Sequence, residues 1–530
     1  MYTRIFLLSL VASIFLGTGI LLWADSAPQS PSEVVATHSR QPDPNGTNTG
    51  NVSDVSAAKT GQPTFIELAN QVGHNKISIN ILWTLLTGYL VMFMSAGFAM
   101  VETGFTRAKN AAHTIAMNLL IYPVCVVGFY LCGFAFMFGG LGPIGTMGGY
   151  DGLNHEVSVT LFGKAFGILG TQGFMLRGSG YDVAVFTLFF FQLVFMDAAA
   201  TIPTGAMAER WRFLSFFIFG WIVSTVIYPL YGNWVWGGGW LSAMGSNFHL
   251  GHGYVDFAGS TVVHMTGGVM AFVGAWMLGP RIGKFNRDGS INAIPGHNIP
   301  MAVLGTFVLA FGWFGFNPGS TLAGTDLRIA IVAVNTLLAS ATGCVAATIW
   351  MWTIRTKKPD PVMMCNGLLA GLVAITAPCA FVSAPSACII GLVAGILVVE
   401  GVFFVERVLK VDDPVGAVAV HGINGAWGCI SLGLFADGTY GDGWNNVPGT
   451  VKGLFYGDSS QLIVQIIGVL TNFVFVGLCA LIMFKVLDVL VGNRVSPATE
   501  VEGLDVPEMG TAGYAGIKMD KFGETPFTRL

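Results

Sequence analysis

Apolar positions along this chain neither alternate at the two-residue period of a strand nor form the narrow stripe of a surface helix. They run on in long blocks separated by short polar stretches. A block of about 20 apolar residues matches the length of a helix that crosses the hydrocarbon core. Within that core only helices and closed barrels satisfy their own backbone. Eleven blocks of this kind lie near 79–102, 114–139, 183–206, 213–236, 255–279, 299–317, 328–353, 364–383, 386–406, 414–436 and 460–490. The pattern predicts an all-α polytopic membrane protein with eleven transmembrane helices.

A further apolar run, "IFLLSLVASIFLGTGILLW", follows Arg4 and precedes "ADSAPQSPSE". This is the arrangement of a secretory signal peptide over 1–24, with an uncleaved anchor as the alternative. The Pro/Ser/Asn/Thr-rich stretch 27–62 is expected to be exported and flexible, and its sequons at Asn45 and Asn51 matter only in a host that glycosylates. The chain thus divides into a leader (1–24), an exported segment (25–75), a membrane domain (76–491) and a C-terminal tail (492–530).

Composition agrees with this reading. Hydrophobic residues make up 53% of the 530 and charged residues 10%, against about 25% charged in soluble domains. The 71 glycines suit helices that approach closely through small residues. A net charge of −4 gives no reason to expect nucleic acid. The eight cysteines include no C-x-x-C pair, so neither a metal centre nor a disulfide framework is expected, and no cofactor. Loop charges set the orientation. Arg107, Lys109, Arg210, Arg212, Arg281, Lys284, Arg287, Arg355, Lys357, Lys358, Arg407, Lys410 and Arg494 lie on one side, against Lys164, Arg177, Arg328 and Lys452 on the other. By the positive-inside rule the first set is cytoplasmic. The N-terminus is then outside and the C-terminus inside, consistent with an exported leader.

Two segments echo one another. "VVHMTGG" in the fifth block and "AVHGING" in the tenth share V-H-x-x-x-G, as His264/Gly268 and His421/Gly425. Five blocks separate them, so they cross in opposite directions, as in an inverted repeat whose interface holds a substrate path. Of nine histidines only these two fall inside the predicted spans, with His113 at a membrane edge. Ionisable groups inside a membrane mark function, and paired imidazoles can hold or pass a proton near neutral pH. Asp256 opens the fifth span, where it either caps the helix or shapes the field at the outer mouth. Its separation from His264 corresponds to a rise of about 12 Å, too far for a shared shell. Aromatics gather near the outer ends: Phe191 and Phe195 four apart in "FFFQLVFMDAA", Trp236 in "NWVWGGGWL", and Phe316 with Ser320 in "GWFGFNPGST". Such residues are interface anchors or core when single; converging π faces with one hydroxyl can hold a small cation.

The segments "DFAGSTVVH", "GAMAERWRF", "VWGGGWL", "GWFGFNPGS", "DDPVGAVAVHGINGAWG" and "EGLDVPE", in this order over roughly 75–508, resemble the ammonium transporters of the Amt/Rh superfamily, on the Amt side. The resemblance implies eleven helices in two inverted five-helix halves, a homotrimer with one pore per subunit in the plasma (inner) membrane, and ammonium or ammonia, with methylammonium as an analogue, as substrate. It further implies recruitment by Phe191, Trp236 and Ser320, a phenyl gate of Phe195 and Phe316, twin pore histidines His264 and His421, an acid near the mouth at Asp256, and a cytosolic PII-type protein as regulatory partner. Ser260 stands where glycine is usual, Met509 where similar tails often have histidine, and the external connection 140–181 has no assigned role.

The physical sense of such a pore is discrimination by deprotonation. A bare ion in an apolar channel meets a desolvation cost of tens of kcal/mol in the idealised limit; ammonium avoids it by losing a proton, and potassium cannot. No enzymatic activity is expected. Two other readings compete: an ammonium sensor with little flux, although the residues after Val491 are too few for a domain with its own core, and a membrane redox protein with His264 and His421 as haem ligands.

Overall fold

The computed structural model describes residue 52 and residues 55–514. The expected leader and both sequons fall outside the described residues, as does the end of the tail from 515. The chain divides into two compact units, Met1–Val72 and Gly73–Leu530.

In the first unit the chain enters a helix through a reciprocal cap. The Thr64 N–H donates to Glu67 Oε2 at 2.7 Å and the Glu67 N–H to Thr64 Oγ1 at 3.2 Å. This capping box starts the helix well before residue 79, where hydropathy alone placed it.

Among the described residues ten helices are long and apolar enough to cross a membrane. In chain order they are α1 (Phe65–Phe105), α2 (Ala108–Phe138), α3 (Val183–Ala206), α4 (Phe213–Trp236), α5 (Ser260–Leu278), α6 (Ile299–Gly319), α7 (Ile329–Arg355), α9 (Ala384–Arg407), α10 (Val418–Phe435) and α11 (Ser459–Leu490). Between α7 and α9 lies a shorter apolar helix, α8 (Pro361–Ile375). The span expected over 364–383 therefore ends early as a helix. Its apolar continuation, through Pro378, is turn and bend. That backbone is satisfied from within the protein: Ser260 Oγ accepts the Ala377 N–H and donates to the Val373 carbonyl, both at 2.8 Å. The unusual serine thus holds the end of α8.

A second correction concerns the class. The 140–181 connection carries an antiparallel hairpin, β1 (Glu156–Leu161) and β2 (Lys164–Gly170), so the chain is mostly helical rather than all-α. Phe162 and Gly163 both have positive φ, the signature of a type I′ two-residue turn. The hairpin packs on the end of α4 and the loop beyond it. Trp234 Nε1 donates to the Ile168 carbonyl at 3.0 Å, and the Trp240 N–H to that of Gly167 at 3.0 Å.

His113, expected at a membrane edge, lies in α2. Its ring is fully buried, edge-on to Phe213, and neither nitrogen has a partner among the described residues.

The centre of the second unit is the crossing of α5 and α10. A Cβ on Gly268 would lie 2.2 Å from the Gly422 nitrogen, and one on Gly425 2.4 Å from the Ser260 carbonyl. Each glycine of the repeated V-H-x-x-x-G therefore makes room for the histidine-bearing turn of the other helix. At the Arg281 end, charges are buried together. Arg281 pairs with Asp412 at 2.8 Å and with Glu209 at 2.9 Å, and Glu209 also pairs with Arg107. Two short tail helices, α12 (Pro497–Glu502) and α13 (Asp505–Met509), dock here. Lys109 Nζ donates to the Glu500 and Val501 carbonyls at 2.9 and 2.7 Å, and Asp505 accepts the His113 N–H at 2.9 Å.

Candidate functional site

Both histidines sit in the first turn of their helices, and that turn is not α-helical in either case. Ser260–Met265 and Val418–Ile423 are π-helical, a wide turn that recurs at functional sites because it redirects side chains. Each turn is set by a carboxylate eight residues before its histidine. Asp256 accepts the N–H groups of Gly259, Ser260, Thr261 and Val262 at 2.8–3.0 Å. Asp413 accepts those of Val415, Gly416 and Val418 at 2.8–3.2 Å. The chain reverses through Gly259 (φ +109) and Gly416 (φ +79), conformations that glycine alone adopts without strain. Full burial of Asp256 with four backbone donors is the helix-capping arrangement. Among the described residues its oxygens bond the turn that carries His264 and not the His264 ring.

These turns bring the imidazoles face to face. The Nδ1 atoms are 3.2 Å apart and the rings stack at 5.2 Å between centroids. One Nδ1 carries a hydrogen and the other accepts it. Direct contact leaves no room for a macrocycle between the two rings. His264 Nε2 is buried without a partner among the described residues.

Toward the Trp236 end the stack continues. His264 lies over Phe316 at 5.3 Å, Phe316 over Phe195 at 4.0 Å with 24° between planes, and Phe195 beside Phe191 at 4.7 Å. Trp236 stands edge-on to Phe195 at 6.1 Å, and its Nε1 donates to the Asp256 carbonyl at 2.6 Å. Ser320 closes α6, its hydroxyl donating to the Phe316 carbonyl at 2.8 Å. All the expected aromatic residues therefore converge on one column with the two histidines, and Ser320 follows from the end of α6.

Three participants escape a reading by motif. Trp313, one turn before Phe316, stacks on His264 at 5.0 Å and donates Nε1 to Thr376 Oγ1 at 2.9 Å. Phe98 of α1 lies 6.1 Å from the His421 ring on its far side. Glu102, one turn further along α1, lines the same cavity as His421. Trp313 stands inside "GWFGFNPGST", where nothing in the pattern singles it out. Asp413 carried a readable signal, since its distances to Gly416, His421 and Gly425 repeat those from Asp256 to Gly259, His264 and Gly268.

Charges outside the spans are biased by burial and by neighbours. Burial alone would raise the Asp412 carboxyl, yet Arg281 and Arg210 hold it well below its usual range. Glu209 is likewise lowered by Arg281 and Arg107 against burial. Burial pushes Glu156, on β1, up to about 7, opposed by its hydrogen bond with Asn233. Among the described residues no group of three or more His, Cys, Asp or Glu could hold a metal ion.

Comparison with known proteins finds the same architecture. Residues 82–514 match the family model described as "Ammonium Transporter Family". The chain is 46% identical over 441 residues to "Ammonium transporter Amt2" of Archaeoglobus fulgidus, covering 83% of this chain and 89% of that protein. Against "Ammonium transporter Amt1" of Haloferax mediterranei it is 35% identical over 460 residues, covering 84% and 81%. Among solved structures, the "Sensor Amt Protein" aligns with a TM-score of 0.71 and 36% identity over 82% of this chain and 99% of that one. Candida albicans Mep2 aligns with a TM-score of 0.66 and 27% identity over 79% and 86%.

Proposed function

Because this chain belongs to the ammonium transporter family, we propose that it carries ammonium through the column of rings just described. Ammonium is recruited between Phe191, Trp236 and Ser320. There the aromatic faces attract a cation, and a hydroxyl oxygen accepts a hydrogen bond that ammonium can donate and potassium cannot. The Phe195–Phe316 pair closes the column above His264 and parts to admit the substrate. Beyond it the walls are apolar, and passage requires ammonium to give up a proton. Ammonia then bonds to the imidazoles of His264 and His421. The observation that carries this reading is the 3.2 Å contact between two buried imidazole nitrogens directly beneath the phenyl pair. His264 Nε2, buried and without a partner among the described residues, is a site that a small hydrogen-bonding solute can satisfy.

In the same proposal α8 is the eleventh span. The halves α1–α5 and α6–α10 are inverted repeats, supported by the matched Asp–Gly–His–Gly turns of α5 and α10. The Trp236 end is outside and the Arg281 end, with the tail, is cytoplasmic, as the loop charges indicate. Residues 76–491 are the transport domain, 492–530 the cytoplasmic tail, and 1–75 the leader with its exported segment. The membrane is the plasma membrane, three copies assemble with one pore each, and a PII-type protein meets the cytoplasmic mouth.

The test is reconstitution in liposomes with an ammonium pulse, reading internal pH and displaced charge together. Proton or charge movement that saturates with ammonium, with a half-saturation point raised roughly tenfold or more in Trp236→Ala, is the expected result. Loss of one aromatic cation contact worth ~1–2 kcal/mol predicts that scale. A parent that neither takes up ammonia nor displaces charge contradicts the proposal.

A further inference from the structure

Below His421 the structure holds a cavity of about 20 Å³, lined by Phe98, Glu102, Asn366, Val415, Ala417 and His421 among others. That is room for about one water-sized molecule, and ammonia is of that size. Its wall is apolar except for three side chains, and one of them is a carboxyl. Glu102 lies one turn from Phe98 along α1, a rise of about 6 Å, so it stands a step beyond the ring that packs on His421. It is 3% exposed, and no ion pair among the described residues includes it.

Of the other buried acids, Asp197 of α3 accepts the Ser95 hydroxyl at 3.0 Å and does not line this cavity. Asp256 and Asp413 cap their turns, and Asp412 and Glu209 pair with Arg281. Glu102 receives two neutral side-chain donors on the same oxygen, from Asn118 Nδ2 and Thr204 Oγ1, each 2.7 Å from Oε2. Gly205 leaves space for the carboxyl that a side chain would take, since a Cβ there would sit 3.0 Å from Glu102 Cδ. Asp413 lines the next cavity toward the Arg281 end, about 30 Å³. A carboxyl without a counter-ion, built into the wall of a membrane path, marks a proton site more than a stabilising contact.

We propose that Glu102 accepts the proton leaving His421 and returns it to the substrate at the cytoplasmic end of the path. This rests on the transport reading above. Nδ1 of His421 is engaged with His264, which leaves Nε2 for the cavity. The Nε2–H bond breaks and an O–H bond forms on the Glu102 carboxylate. An ammonia molecule in the cavity then takes that proton: the O–H bond breaks, an N–H bond forms, and ammonium and the carboxylate are regenerated. His421 regains a proton at Nδ1 from His264, and His264 takes at Nε2 the proton that the entering ammonium gives up; a shift of the two neutral rings back to their starting tautomers completes the cycle. The sum is one ammonium moved with its charge, although only ammonia passes the apolar stretch. The groups facing Glu102 from the packed elements are Asn118 of α2, Thr204 of α3, Asp413 from the chain entering α10, and His421 of α10.

The experiment compares charge displaced with ammonia taken up in proteoliposomes for the parent, Glu102→Gln and Glu102→Asp. Glutamine keeps the size and can accept from Asn118 and Thr204, but it cannot carry a proton. The expected result is at least a tenfold fall in charge moved per ammonia for Glu102→Gln, substantial recovery in Glu102→Asp, and elution and unfolding temperatures like the parent's for both. Full ammonium-evoked charge movement in a well-folded Glu102→Gln overturns the proposal. So does a fall that Glu102→Asp shares equally, which marks a packing role. A parent that takes up ammonia without displacing charge overturns the relay and leaves transport standing; a parent that does neither overturns both.

Discussion

At the scale of single residues, the site is assembled by backbone donors that need an acceptor. Asp256 satisfies four N–H groups at the head of α5, and no other side chain among the described residues bonds to them. Truncating it orphans those donors in a fully buried turn, so Asp256→Ala should destabilise the protein by on the order of 3 kcal/mol or more. Thermal unfolding in detergent measures this, and a parent-like midpoint would show that the turn holds itself. Ser260 makes a finer case. Its hydroxyl bonds the Val373 carbonyl and the Ala377 N–H, so Ser260→Gly, although it restores the residue usual in the family resemblance, should cost about 1–3 kcal/mol by leaving Ala377 unpaired. The sequence displayed the histidines and most of the aromatic column because each stood in a recognisable segment. It concealed Glu102 and Trp313, since a polar residue near the end of an apolar block reads as a boundary and a tryptophan within one reads as filling. Only the path of α1 and α6 past the imidazoles gives either residue a neighbour worth naming.

At the scale of elements, the repeated V-H-x-x-x-G is a packing device as much as a chemical one. Gly268 and Gly425 each lie within 2.4 Å of the opposite backbone once a Cβ is imagined. Gly268→Ala and Gly425→Ala should each cost roughly 1–3 kcal/mol through forced separation of α5 and α10. Together they should cost less than the sum, because one separation relieves both clashes; additive unfolding shifts would contradict the shared crossing. The hairpin offers a pH test. Glu156 titrates near 7 in the folded protein against 4.5 in the unfolded chain. A raised carboxyl contributes stability that is present below 4.5 and is lost as pH climbs through 7. Hydrogen exchange over 156–170, corrected for the intrinsic rate, should therefore quicken between pH 5 and 8, and Glu156→Gln should flatten that rise. Helix positions were legible as apolar blocks, but two element boundaries were not. Hydropathy reports burial rather than conformation, so the buried turn after α8 looked like more helix and the capping box before α1 looked like loop.

At the scale of the whole molecule, a multi-pass membrane protein keeps the buried ion pairs of its described residues at one end, where they lock the connecting loops to the tail. Arg281 joins Asp412 and Glu209, and Arg494 joins Glu500. Asp412 and Glu209 are both held below their unfolded values, near 4. Their contribution is complete above those values and is lost as pH falls through the folded ones. The unfolding temperature should fall steeply below about pH 4, and Arg281→Gln should lower it at neutral pH while weakening that acid dependence. An unchanged acid slope would place the lability elsewhere. The central claim is that selectivity comes from deprotonation above a pair of imidazoles, and the ratio of ammonium-evoked to potassium-evoked current in proteoliposomes tests it most directly. The account predicts a sustained current for ammonium alone in the parent, and in His264→Ala/His421→Ala either its loss or the appearance of a potassium current. A double variant that still carries ammonium and rejects potassium as the parent does would contradict it.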